Sequence, residues 1–236
     1  MARIALAACL ILAVVSPLWG EADNPGLGIH GVGSYWTYTV SNGATITSEI
    51  IDRIEHRGRE MLMMAIDNSS VATRPGETCH GADADLLDVE TGSYVACLKD
   101  GRVLGEIIPH DGRFSFPMAV GNTWSAVTFW EDNVNPDWSS GPFFRTWEVV
   151  AYESVTVPAG TYMAFRIDYL VEGSDLSIWY APVEKFPVKQ IYRGDVYELS
   201  DYSVTEHIPE LEAIRARISI LEAEIAAIKS GLKGIR

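Results

Sequence analysis

Basic charge is what this 236-residue chain has least of: 18 Lys and Arg stand against 32 Asp and Glu, a formal net charge of −14. A surface of that sign repels phosphate backbones and anionic bilayers, which argues against nucleic-acid and membrane-surface binding. Cysteine is also scarce, with Cys9, Cys79 and Cys97 the whole set. They form no Cys-x-x-Cys, so neither a zinc knuckle nor dithiol redox chemistry is signalled. The histidines, His30, His56, His80, His110 and His207, are scattered without His-x-His or His-x-x-x-His spacing. No Gly-x-Ser-x-Gly, Ser-x-x-Lys or phosphate-loop motif occurs. The chain therefore reads as non-enzymatic, with no cofactor and no metal. Long hydrophobic runs are missing too. The longest, Ile4 to Val15, falls short of the roughly 17 residues that span a bilayer.

That run follows Arg3 and ends at Pro17, and Gly20-Glu21-Ala22 offers a small-x-small cleavage site. Residues 1–22 read as an export signal, which implies a periplasmic or secreted protein with no transmembrane segment after cleavage. Cys9 leaves with the signal. Cys79 and Cys97 remain, and in an oxidising compartment such a pair is expected to form a disulfide closing a loop of under twenty residues.

Between Gly31 and Val204 the pattern is β. Alternating or β-branched runs include Tyr35–Val40, Tyr94–Leu98, Trp147–Val150, Met163–Ile167 and Leu176–Tyr180. Turn residues punctuate them at Asn42-Gly43, Lys99-Asp100-Gly101, Asp111-Gly112, Pro158-Ala159-Gly160 and Glu172-Gly173. Residues 23–205 form one β-rich domain on this reading. Two parts of it echo each other, 31–118 and 119–205: Gly33-Ser34-Tyr35-Trp36 with Gly121-Asn122-Thr123-Trp124, Met64–Asp67 with Phe165–Asp168, and Tyr94-Val95-Ala96 with Ile178–Ala181. The expected fold is an antiparallel two-sheet sandwich or half-open barrel made of two similar meanders.

The tail, 206–236, carries a heptad. Leu211, Ile218, Ile225 and Leu232 occupy one core position and Ile214, Leu221 and Ile228 the other. Flanking pairs Glu210 with Arg215, Arg217 with Glu222 and Glu224 with Lys229 are opposite in charge, which suits a parallel coiled coil. Isoleucine at both core positions favours a trimer. A parallel homo-oligomer is the expected self-partner. Ile220, off the stripe, favours the other reading, an amphipathic helix packed on its own domain.

Between Phe129 and Trp147 aromatics alternate with oxygen-bearing side chains. Trp130, Trp138, Phe143 and Phe144, with Asp132 and Asp137, are the candidate binding residues, since loops carry function and aromatics supply contact area. Asn133, Asn135 and Asp137 have the first spacings of a calcium loop, but Trp138 replaces the turn glycine and no glutamate closes it. Asp83, Asp85, Asp88 and Glu90 beside His80 form a second acidic group that reads as a solvated turn.

The stretch Val155-Thr156-Val157-Pro158-Ala159-Gly160-Thr161-Tyr162, then Trp179-Tyr180-Ala181-Pro182, then Pro187-Val188-Lys189-Gln190, resembles TapB-like bacterial envelope proteins. Gly121-Asn122-Thr123-Trp124 matches their opening strand, and the resemblance covers about 120–200. Glu184 and Lys185 stand where that pattern has a glycine. The resemblance implies a β-rich periplasmic protein or lipoprotein and brings no catalytic residues. The expected function is thus an exported binding or scaffold module that self-associates through its tail, with envelope proteins as further partners. Two alternatives stand beside it: a periplasmic carrier of a lipid or other apolar ligand in the β interior, and a glycan hydrolase using paired carboxylates.

Overall fold

A computed structural model describes residues 30–66, 79, 81–171 and 175–233. The signal segment, His80, and Asp67 and Glu172-Gly173 from the repeat and turn readings lie outside them. Twelve strands follow in order: β1 (Tyr35–Val40), β2 (Thr45–His56), β3 (Arg59–Ile66), β4 (Ala84–Asp88), β5 (Tyr94–Lys99), β6 (Arg102–Ile108), β7 (Thr123–Asp132), β8 (Ser140–Val157), β9 (Gly160–Tyr169), β10 (Ser177–Ala181), β11 (Phe186–Tyr192) and β12 (Asp195–Ser203). A helix, α1 (Pro209–Lys233), ends the described chain. Each strand pairs antiparallel with its sequence neighbours, as short turns dictate. At the Asp100–Gly101 and Arg193–Gly194 turns both residues take positive φ, the geometry whose twist matches the strands it joins.

The sandwich or half-open barrel is overturned by one pairing. β1 bonds to β12, with Trp36 opposite Tyr202 and Val40 opposite Tyr197, and the sheet closes on itself. Closure leaves no unpaired sheet edge, and unpaired edges invite aggregation. A bond network between residues some 160 positions apart leaves no local trace in the sequence, so the hairpins alone suggested an open sheet.

The coiled coil is overturned as well. The tail is a single α-helix. Ile214, Ile218, Leu221, Ile225 and Ile228 are 41–62% exposed along it, and Ile220, off the heptad, is equally open at 50%. Apolar groups thus face solvent on more than one side, whereas a knobs-into-holes seam needs them on one. Leu211 and Leu232 lie on the same helix. A backbone bond from Gly31 N to Thr205 O, at 2.6 Å, and a bridge between His30 and Glu206 tie the base of this segment to the start of the barrel.

Two strand entries are built alike. Gly33 N donates to Ile50 O and Ile50 N to Ser34 O, both at 2.8 Å; Gly121 N donates to Val149 O at 2.8 Å and Val149 N to Asn122 O at 2.9 Å. A register break follows each, after Ile50 in β2 and after Val149 in β8. Such bulges bend long strands and let a sheet curl shut.

The core has two main bodies. One joins Trp36, Ile50, Leu62, Val188 and Leu199 to Tyr162 and Phe186. The other joins Trp147, Val149, Phe165, Ile167, Ile178 and Tyr180 to Phe114 and Met118. These last two come from the long β6–β7 connection, which carries no regular structure over most of its length. A closed sheet of this many strands encloses more room than eight strands do, and this connection contributes to the filling.

Candidate binding surface

The hairpin of β7 and β8 gathers most of the predicted aromatic residues but does not use them alike. Trp130 turns away from any ligand role. It packs against the cluster of Cys79, Ala82 and Cys97, and a Cβ on Gly105 would come within 2.2 Å of its ring. The adjoining Cys79–Cys97 disulfide has its Cα atoms 5.8 Å apart. Asp132 is 3% exposed and accepts from Val134 N at 3.0 Å and Asn135 N at 2.6 Å. It shapes the turn rather than offering a ligand. Asp137 and Trp138 sit in a single 3-10 turn, Pro136–Trp138.

Phe143 and Phe144 remain at the surface, Phe144 at 71% exposure. Register places Phe144 directly opposite Val127, which is 47% exposed. Phe129, two residues on and so on the same face, is also 47% exposed and lies over Gly141, where a Cβ would come within 2.9 Å of its ring. Leu170 extends the patch: its N donates to Thr146 O at 2.8 Å, and it and Val171 stay open to solvent. Sequence reasoning missed Val127, Phe129 as an outward residue, Leu170 and Val171. The alternation across Thr123–Trp130 was the available signal, but it cannot say which face is outside.

The flank of this patch is charged and fully engaged. Arg57 reaches Glu131 at 2.7 Å and Glu106 at 2.9 Å through both Nε and Nη2. Glu106 is buried, and His56 Nε2 lies 2.9 Å and Asn133 Nδ2 3.3 Å from it. Burial opposes its charge, yet these hydrogen bonds, Arg57's foremost, outweigh it and hold the carboxyl below its ordinary value.

Elsewhere the carboxylates are spent on structure. Asp88 pairs with Arg59 and accepts from Thr91 N and Oγ1 at 2.9 and 2.8 Å. Asp83 meets Asp100 N at 3.0 Å and Lys99 at 3.7 Å. The acidic group read from the sequence is therefore divided among separate contacts. No set of three metal-ligating side chains comes together among the described residues. Two strands on from β8, Trp179 of β10 lies under both Arg166 and Lys189 and donates to Glu153 at 2.7 Å. Arg166 pairs with Asp168, and Lys189 with Glu198.

A second feature is an open cleft of about 370 Å³ beside the β6–β7 connection, lined in part by His110, Phe114, Phe116, Trp124 and Glu90. Among the described residues Glu90 is its one carboxylate, so they assemble no acid-and-base pair of a glycan hydrolase there.

No protein-family model matches the chain, and no curated protein matches it. It is similar to two solved bacterial structures. One, from Bacteroides fragilis, is described as an exported protein with a YmcC-like fold; identity is 14%, 74% of this chain and 97% of that one are covered, and the TM-score is 0.40. The other, from Parabacteroides distasonis, is described as a lipoprotein; identity is 13%, coverage 77% and 100%, and the TM-score 0.37. Scores of this size carry no argument about this chain's activity. A periplasmic or secreted location agrees with the closed Cys79–Cys97 bridge, which an oxidising compartment sustains.

Proposed function

We propose that this protein is an exported, non-catalytic binding module that docks an envelope protein on the outer face of β7 and β8. The observation that carries this is the side-by-side exposure of Val127 and Phe144, with Phe129 beside them. Large apolar groups left open next to one another mark interaction surfaces. The fitting partner has an apolar centre and a basic rim, because the −14 charge of this chain repels a second copy and an anionic bilayer alike. Since the barrel is closed, recognition proceeds through side chains rather than by strand addition. The resemblance of residues 120–200 to TapB-like envelope proteins belongs to this reading.

The test is site-specific photo-crosslinking in the cell envelope. A photoreactive side chain at position 144 is expected to give a discrete adduct, and one at Thr39, an exposed residue of β1, is not. The adduct should vanish when Val127→Thr and Phe129→Ser are added. Equal labelling from both positions would overturn the assignment.

A further inference from the structure

Three segments meet around the open cleft, and each is fixed by the protein's own bonds. The β4–β5 turn brings Glu90 and Thr91. Asp88 sets that turn: it accepts from Thr91 N at 2.9 Å and Thr91 Oγ1 at 2.8 Å, and Gly92 N closes on its carbonyl at 2.7 Å. The β6–β7 connection brings His110, Phe114, Ser115 and Phe116. It is tied twice to the first residue of β5, Asp111 N to Tyr94 O at 2.9 Å and Tyr94 N to Asp111 Oδ1 at 3.2 Å. β7 brings Trp124, whose Nε1 donates to Gly112 O at 2.8 Å. Gly112 has a φ of +67°, and a Cβ there would come within 2.4 Å of the Ala126 Cβ. Only glycine lets the connection lie this close to β7.

The lining holds two kinds of group. Phe114 is buried, while Phe116 and Trp124 are half-buried at the wall. The rings of Phe114 and Phe116 lean on that of Tyr180, at 5.4 and 5.5 Å. Beside these rings stand three polar side chains that the fold leaves unused. The Glu90 carboxylate and the Ser115 hydroxyl are exposed and have no hydrogen-bond partner among the described residues. His110 Nδ1 accepts from Gly112 N at 3.0 Å, so the ring proton sits on Nε2, which has no partner among them either. Thr91 and Ser125 are spent by contrast, one on Asp88 and the other on Thr146 at 3.0 Å.

We propose that this cleft is a binding site for an uncharged saccharide. A pyranose ring has an apolar C–H face and a rim of hydroxyls that both donate and accept. The face lies against Phe116 and Trp124. The rim donates to Glu90 and accepts from His110 Nε2–H, and the Ser115 hydroxyl serves either way. The same groups disfavour other ligands. A wholly apolar molecule would strip water from a carboxylate and offer it nothing in return. An anion would meet Glu90 and the −14 charge of the chain. A cation would suit Glu90 and the rings but would face the Nε2–H dipole of His110. At about 370 Å³ the cleft stands near the lower end of ligand pockets, about 300–1,000 Å³. It is open, so it takes a short stretch of sugar chain whose ends continue into solvent. With one carboxylate in the described lining, it holds that chain without cleaving it. No lining residue belongs to the docking face of β7 and β8, so the two assignments stand or fall separately.

The experiment is a titration of the full exported chain with three neutral trisaccharides, maltotriose, cellotriose and triacetylchitotriose, read by calorimetry and saturation-transfer NMR. At least one should bind saturably near one equivalent, with a Kd of about 1 mM or lower. Transfer should be strongest to C–H protons on one face of a sugar ring. Glu90→Ala should weaken binding about tenfold, the worth of a hydrogen bond to a charged group. Its Tm should not move, because the Glu90 carboxylate is exposed and unpartnered. Phe116→Leu keeps apolar bulk beside Tyr180 but removes the ring face, and should weaken binding about fivefold. Trigalacturonate, a trisaccharide with carboxylates, should bind at least tenfold more weakly than the best neutral probe. Silence from all three neutral probes, or unchanged affinity in both variants, would overturn the site. Equal binding of trigalacturonate would overturn the assignment of an uncharged ligand.

Discussion

The first six strands and the last six share a frame and differ in what fills it. Each half opens with a glycine whose N–H bonds the strand after next in the chain, and each bends at a bulge just beyond, after Ile50 in one and Val149 in the other. The halves then diverge. The first adds covalent and ionic ties to its share of the apolar core: the Cys79–Cys97 bridge behind Trp130, and Glu106 clamped by Arg57 and His56. The second is held by aromatic bulk: Trp147, Phe165 and Tyr180 packed under Phe114. Backbone bonding alone can set a barrel's path, and the side chains behind it are free to stabilise it by different physics.

The sharpest way to break the comparison is in the aromatic half. Phe165→Ala should cost about 3–5 kcal/mol, the usual range for emptying a buried aromatic site. Urea unfolding should then show both halves lost in one transition, because β1 and β12 join them; separate transitions read by different probes would mean two independent units. In the covalent half, Cys79→Ser with Cys97→Ser should cost about 3 kcal/mol by loop entropy, given the separation of 18 residues. A loss near zero would show that packing around Trp130 carries that half unaided.

Glu106→Gln is the next step down, at about 2 kcal/mol near neutral pH, the scale of hydrogen bonds to a charged group. The sign with pH is fixed. The folded carboxyl titrates below its ordinary value of 4.5, so its contribution is complete above that value and is lost as pH falls through the lower folded-state value. Urea midpoints of wild type and variant should therefore converge on acidification; a gap that holds constant to pH 3 would assign the effect to packing instead. Smallest of all is Phe144→Ser. At 71% exposure it should change stability by under about 0.5 kcal/mol, while removing the envelope adduct formed from a photoreactive side chain at the facing position 127.

The parts of this fold governed by neighbours in the chain were readable beforehand. Tyr35–Val40, Tyr94–Leu98 and Met163–Ile167 lie in β1, β5 and β9, and Lys99-Asp100-Gly101 turns β5 into β6. The tail reads as helix and is one. What escaped depends on distance. Nothing near Trp36 announces Tyr202 as its partner, and so the open sheet was drawn in place of a closed one. The heptad described spacing correctly but not company, since Ile220 faces solvent as openly as the heptad residues do. Trp130 and Phe144 belong to one aromatic run, yet one supports a disulfide and the other meets solvent. Composition names the side chains; only the register of β7 on β8 sorts them.

The β1–β12 seam also sets a timetable. An exported chain emerges on the far side of the membrane from its N-terminus onward, and the strand that must complete the ring is the twelfth of twelve. Until Asp195–Ser203 has crossed, Tyr35–Val40 waits with one side of its backbone unpaired. Pairing across so long a span is slow, and an exposed strand is vulnerable while it waits. Whatever receives this protein outside the cytoplasm meets an unsealed sheet before it meets the finished cylinder, and the interval between the two is when proteases and chaperones have their opportunity.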